Sequence, residues 1–300
     1  MTMPYRSQTS ALLMNKPSPV FNTRGVVLRA TDVGERDRML TVLTAEYGKL
    51  SVFARGVRKI TSGSLSASQL FSYAEFTLRR GSQYCFLNES TIRETFLGIS
   101  STIEGAALAS YLCEVADELS VEGEESQNML QLVLNTLWTI AAGSRPLYII
   151  KGAFEMRAAA IAGFLPDLLL CAGCGCEEIG EIGMLDVMNG RLICGDCYNK
   201  MYREKLEWAS AYLPPDAPLT DEYGQAVLFR RLNASALQAI RYILYTNPKR
   251  QFSFTVDGEG IPLFRDACET YLLHHVGHGY KTLSFYKSLE HLTTISDIRN

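Results

Sequence analysis

The spacing of apolar positions divides the chain into an N-terminal part with a period of two and a longer part with a period near 3.6. Gly25-Val26-Val27-Leu28-Arg29-Ala30 is short and rich in β-branched residues, and Lys49-Leu50-Ser51-Val52-Phe53-Ala54 alternates between Gly48 and Gly56. Ser72 to Leu78 alternates strictly and Tyr84 to Leu87 less so; Gly81-Ser82 between them suits a hairpin. With Met39 to Thr44, five short strands are predicted before residue 98. A small closed or partly closed β-barrel leaves few of their edges unpaired. An SH3-like barrel fits as well, and the pattern leaves both open.

Beyond residue 98 the period is helical. Ile103 to Leu119 predicts one helix, and Met129, Leu132, Val133, Leu137 and Ile140 follow the i, i+3, i+4 rule of a second. Gly143 is a stop signal, Pro146 suits the start of a helix over Leu147 to Ile161, and Gly163 and Pro166 end it. Further helices are expected at Met201 to Tyr212, Asn233 to Tyr245 and Ile261 to His275, punctuated by Pro214-Pro215 and Pro248. The fold class expected is α+β and multidomain: a five-stranded barrel, then an all-α body with one insertion.

That insertion carries the sharpest chemical signal. Cys171-Ala172-Gly173-Cys174 and Cys194-Gly195-Asp196-Cys197 are two CxxC pairs separated by 19 residues. A tetrahedral metal needs four thiolates converging at about 2.3 Å from Zn²⁺. A CxxC turn presents two sulfurs on one side, and this spacing lies in the range of zinc ribbons. Gly183 to Ile193, turning at Asn189-Gly190, reads as the connecting hairpin. Cys171, Cys174, Cys194 and Cys197 are the expected ligands of one structural zinc, although Cys176 offers an alternative to Cys174. Four cysteines leave no open position for water or substrate, so the metal should be structural. Its binding is worth on the order of 10 kcal/mol, enough to decide whether such a segment folds. Cys85, Cys113 and Cys268 sit in apolar settings and read as core.

Composition narrows the picture without changing it. The chain has 300 residues, 47% hydrophobic and 20% charged, as a globular protein has. No run of 18 apolar residues occurs and the first twenty residues lack a secretory pattern, so a cytoplasmic location is expected. No GxxxxGK[ST], strand-borne GxGxxG or GxSxG motif is present, and the His274, His275, His278 cluster has no metalloprotease carboxylate between its members. A non-enzymatic role is expected. The net charge of −3 hides an asymmetry: residues 1–80 carry twelve Lys/Arg against five Asp/Glu, and the rest 17 against 27. A basic barrel meeting a polyanion fits this split. Its charge gathers at Arg36 and Arg38 before the second strand, and at Arg55, Arg58 and Lys59 in the Gly/Ser-rich loop after the third. Phe53, Phe71, Tyr73 and Tyr84 are candidate stacking platforms for bases, or core residues.

The stretches Arg24-Gly25-Val26-Val27-Leu28-Arg29, Gly34-Glu35-Arg36-Asp37-Arg38-Met39-Leu40, Tyr47-Gly48-Lys49-Leu50 and Phe53-Ala54-Arg55-Gly56-Val57-Arg58-Lys59 resemble the start of the bacterial RecO family of DNA repair proteins. The order of barrel, helices, CxxC…CxxC insertion and further helices is similar too. The resemblance implies an OB-fold barrel, binding of single- and double-stranded DNA, strand annealing, and action with RecR in loading RecA onto DNA coated by single-strand-binding protein. It makes Arg29, Arg36, Arg38, Lys49, Arg55, Arg58 and Lys59 the expected phosphate contacts. The expected division is a loose tail (1–20), an OB-fold (21–98), a first helical part (99–170), a zinc ribbon (171–198) and a second helical part (199–300). Two other readings share these features: an adaptor that docks proteins or RNA, and a thiol redox protein using one CxxC pair, whose thiolate zinc would block.

Overall fold

The computed structural model describes residues 20–201 and 227–298. Strands β1 (Val20–Val33), β2 (Asp37–Thr44), β3 (Lys49–Ala54), β4 (Tyr73–Arg80) and β5 (Cys85–Glu94) form a closed barrel in the order β1-β2-β3-β5-β4. The closing pair, β3 with β5, is parallel, whereas the other four are antiparallel. That is the five-stranded Greek-key arrangement of an OB-fold rather than an SH3-like barrel. Strand β1 is far longer than its β-branched centre, because one half pairs with β4 and the other with β2. A register shift between Val27 and Arg29 lets it curl from one to the other. Inward positions Val27, Leu40, Val42, Leu50, Val52, Phe76 and Leu78 fill the interior.

Helices α1 (Ile103–Leu119), α2 (Gln127–Ala142) and α3 (Leu147–Ile161) follow, and later α4 (Ala234–Tyr245), α5 (Gly260–Val276) and α6 (Lys281–Ile298). Thr102 caps α1 by accepting from the Gly105 N–H at 3.0 Å, and Asn233 caps α4 through Ala236 at 2.9 Å. Helix α6 had no counterpart among the predicted elements. The helix expected over 201–212 lies outside the described residues except for Met201, which is helical together with 195–200. The tail expected over 1–20 lies outside them too, apart from Val20 in β1. No described helix is long and apolar enough to cross a membrane.

The helical core contains a buried charge network. Lys151 Nζ lies 2.7 Å from both Glu155 Oε1 and Glu269 Oε2, and the Tyr111 hydroxyl donates to Glu155 at 2.8 Å. Lys151 and Glu155 are 3% and 0% exposed, so each carries a charge that the other must offset.

Barrel and helices share a seam. Val26, Leu28 and Leu43 pack in the same core as α1–α3. The β2–β3 turn docks on the segment after α1, where the Gly123 and Ser126 N–H groups donate to Tyr47 and Ala45 carbonyls at 3.0 and 2.8 Å. Gly48, at φ +62°, approaches so closely that a Cβ would stand 2.0 Å from the Val121 carbonyl oxygen.

The ribbon sheet is larger than the predicted hairpin. Strands β6 (Asp167–Cys171), β7 (Gly183–Asp186), β8 (Arg191–Ile193) and β9 (Phe229–Leu232) pair in the order β6-β8-β7-β9. The all-α expectation for the second helical part is thus corrected at β9, which joins β7 and ties the ribbon to α5 through Arg230, 2.9 Å from Asp266. Phe229-Arg230-Arg231-Leu232 carries too little alternation to announce a strand.

Candidate nucleic-acid interface and metal centre

The register of the barrel assembles one outward-facing row. Met39 stands opposite Phe53, Phe53 opposite Phe86, and Phe86 opposite Arg79. Their neighbours along the strands, Leu40, Val52, Ala54, Cys85 and Leu78, are buried, so this row points outward. Phe53, Tyr84 and Phe86 cluster half-buried, with ring centroids 5.1–6.2 Å apart. The Arg79 guanidinium lies 4.4 Å from the Phe86 ring centroid. Phe86 escaped the sequence reading because its strand alternates weakly at that point. Phe71 and Tyr73, by contrast, pack against the helical core.

The seven predicted phosphate contacts separate into three groups. Arg29 and Lys49 converge on Asp117 of α1, at 2.9 and 3.3 Å. Lys49 also donates to the Asp117 carbonyl oxygen at 2.6 Å, near the helix C-terminus, where a cation is favoured. These two residues stitch the seam. Arg38 and Arg58 both pair with Asp32, at 2.9 and 3.2 Å. Arg38 also donates to the Ser68 carbonyl and Arg58 to the Gly34 carbonyl, so the pair staples the β1–β2 tip to the loops beside it. The Gly56 N–H donates to Asp37 at 2.7 Å and the Arg58 N–H to the Arg36 carbonyl at 3.0 Å, completing that staple.

Arg36, Arg55 and Lys59 remain. All three are exposed, make no ion pair among the described residues, and line one cleft of about 430 Å³ with Val33, Gly34, Gly56 and two acidic residues, Glu35 and Asp37, the latter occupied by the Gly56 N–H. Because Arg38 lies opposite Ala54, and Phe53 opposite Phe86, this rim borders the aromatic row at the end of β3. Unpaired cations thus stand beside half-buried, outward-facing rings, the combination of groups that single-strand-binding grooves use.

The second site lies in the ribbon. The sulfurs of Cys171, Cys174, Cys194 and Cys197 all lie within 4.8 Å of one another. Cys174 and Cys194 Sγ are 3.7 Å apart, close to the separation of about 3.8 Å that tetrahedral geometry at a 2.3 Å Zn–S distance requires. Backbone N–H groups of Gly173 and Cys194 point at Cys171 Sγ from 3.4 and 3.2 Å, and that of Cys197 at Cys194 Sγ from 3.4 Å. Burial raises the Cys171 thiol, but these N–H groups outweigh it and lower the pKa to about 6. A Cβ on Gly173 would stand 2.9 Å from Cys197 Sγ, so only glycine lets the two knuckles approach. Donor set, spacing and thiolate-stabilising N–H groups fit a structural metal. The Asp186 carboxylate, 1% exposed, accepts from Asn189 and Arg191 and fixes the β7–β8 turn between the knuckles. Cys176 lies outside the four-sulfur cluster and bonds the Glu178 carbonyl. Cys85, Cys113 and Cys268 are buried, as expected.

Among the described residues the histidines form no metal-ligating group, although the His274 and His275 rings meet edge-on at 5.3 Å. His275 stacks on Phe164 with centroids 4.6 Å apart, and His278 pairs with Glu118 at 2.7 Å.

Comparison with known proteins settles the family. A family model for the recombination protein O N-terminal region matches residues 18–96, and one for the C-terminal region matches 100–217. DNA repair protein RecO of Dehalococcoides mccartyi is 34% identical over 186 residues, which cover 62% of this chain and 73% of that protein. The chain belongs to the RecO family. The RecO of Acetivibrio thermocellus is 24% identical over 271 residues, 90% of this chain and 97% of that protein. That of Desulforudis audaxviator is 33% identical over 180 residues, 60% and 71%. Membership in this family implies a role in DNA repair and recombination. The N-terminal family model spans the whole barrel, rim and aromatic row included.

Proposed function

We propose that this chain is a non-enzymatic recombination mediator that binds single- and double-stranded DNA and anneals complementary strands. The observation that carries the reading is the cleft of Arg36, Arg55 and Lys59 beside the row Phe53, Phe86 and Arg79. Guanidinium and ammonium groups on the rim neutralise phosphates without reading sequence. The outward faces of the half-buried rings take the unstacked bases of a single strand. A strand held by its backbone, its charge partly neutralised, meets its complement against less repulsion, which is a physical route to annealing. Nothing in that route needs a reacting nucleophile or a nucleotide.

Zn²⁺ is the metal proposed for Cys171, Cys174, Cys194 and Cys197, and its role is to hold the ribbon against α4 and α5. The partners proposed for it are RecR and single-strand-binding protein, with RecA loading in the cytoplasm as the step it serves. The acidic helical body is the part suited to protein partners. The experiment is annealing of complementary oligonucleotides by the purified chain, with the Arg36→Ala/Arg55→Ala/Lys59→Ala variant beside it. Faster annealing than the spontaneous rate, lost in the variant, is expected; no acceleration by the unaltered chain contradicts the reading.

A further inference from the structure

Beside the four clustered sulfurs stands a fifth. Cys176 follows Cys174 across Gly175, whose φ of +73° turns the chain back on itself. Its Sγ lies 3.2 Å from Cys174 Sγ. Cys174 is exposed and Cys176 half-exposed, whereas Cys171 and Cys194 are buried. Cys174, Cys176, Cys194 and Cys197 line an open groove of about 630 Å³, which admits a small oxidant to the sulfurs. Two residues apart across a turn, the backbones of Cys174 and Cys176 lie within the span of a disulfide.

We propose that Cys174 and Cys176 form an oxidation site through which hydrogen peroxide releases the metal. The proposal rests on the reading that Cys171, Cys174, Cys194 and Cys197 hold a metal ion. The Cys174 thiolate attacks the peroxide: an S–O bond forms, the O–O bond breaks, and the departing hydroxide takes a proton from solvent to leave as water. The thiol of Cys176 then attacks the sulfenic sulfur. An S–S bond forms, the S–O bond breaks, and the thiol proton leaves with the hydroxyl as a second water. Two sulfurs lose two electrons and the peroxide gains them. The disulfide removes one of four ligands, and three sulfurs cannot close the tetrahedral shell. A thiol reductant reverses the step. Cys176 is thus a resolving thiol placed against the most accessible ligand.

The test uses the full chain loaded with zinc. Metal content is measured first: one zinc per chain supports the centre, and none overturns the ligand reading itself, before any oxidant is added. Hydrogen peroxide is then added, released zinc is followed with a chromogenic chelator, and thiols are mapped by mass spectrometry. The unaltered chain is expected to lose its zinc and gain a Cys174–Cys176 disulfide, both reversed by dithiothreitol and fresh zinc. Cys176→Ser and Cys176→Ala are expected to hold one zinc and to release it about fivefold or more slowly, since a sulfenic acid without a neighbouring thiol reacts by slower routes. Release at the unaltered rate from both variants overturns the proposal. Failure of both variants to hold zinc also overturns it, by making Cys176 a ligand.

Discussion

Phe53 on β3 stands opposite Phe86 on β5, ring centroids 6.2 Å apart, in the parallel pair that closes the barrel. The contact needed to complete the fold therefore also builds the outward aromatic surface. The prediction is that Phe53→Ala and Phe86→Ala each weaken binding of a single-stranded oligonucleotide by about 1–3 kcal/mol, the value of one stacked base. Duplex binding should change less, because paired bases are not free to stack. Fluorescence anisotropy with a thymidine oligonucleotide and with a hairpin duplex measures both. Equal losses on the two substrates would mean the rings serve the barrel and not the bases.

Two groups of basic residues that look alike in sequence do different work. Arg29 and Lys49 hold Asp117 across the seam, whereas Arg36, Arg55 and Lys59 have no acidic partner among the described residues. Arg29→Ala/Lys49→Ala should lower the melting temperature. Its effect on the salt dependence of DNA binding should be small. Arg36→Ala/Arg55→Ala/Lys59→Ala should leave melting unchanged and flatten the log–log salt slope by about 2, at roughly 0.7 per phosphate contact on a single strand. Calorimetry and a salt titration on both variants separate the roles, and exchanged outcomes would reverse the assignment.

Much of this was legible in the chain. Strands β3 and β4 alternate cleanly, and the cysteine spacing encodes a local geometry that needs no tertiary knowledge. The roles of the arginines were not legible, because a cation's partner lies elsewhere in the sequence: Asp117 belongs to a helix beyond the barrel. Phe86 was hidden by weak alternation. Strand β9 was hidden by its length, four residues whose pairing is dictated by β7 rather than by their own pattern.

Cys194→Ser removes a buried sulfur from the four-thiol cluster. The variant should lose its metal and unfold the ribbon, since binding of a structural zinc contributes on the order of 10 kcal/mol to a segment this small. Metal analysis together with hydrogen exchange over 167–201 reads the change. Retention of one zinc at an unchanged melting temperature would refute the ligand set.

Lys151→Met leaves Glu155 buried without its cation. Burial already raises the Glu155 pKa above its ordinary 4.5, with Lys151 opposing the shift, so the variant's carboxyl rises further. A raised carboxyl in the folded state costs nothing at pH below 4.5 and destabilises progressively as pH climbs through the folded value. At neutral pH the loss should be about 3–5 kcal/mol, and Lys151→Met/Glu155→Leu should recover most of it. Urea unfolding at mildly acidic and at neutral pH measures this. A variant equally stable at both would show that the lysine does not offset the carboxylate.

The central claim is that the basic rim and its aromatic row hold a single strand by phosphate contacts and stacking. Its most direct test is binding of labelled single-stranded DNA of two unrelated sequences by the full chain across a salt series. The account predicts similar affinities for both sequences and a log–log slope of about −2 to −5, the signature of several neutralised phosphates. No binding at low salt, or affinity indifferent to salt, would contradict it and leave the charge of the barrel to another partner.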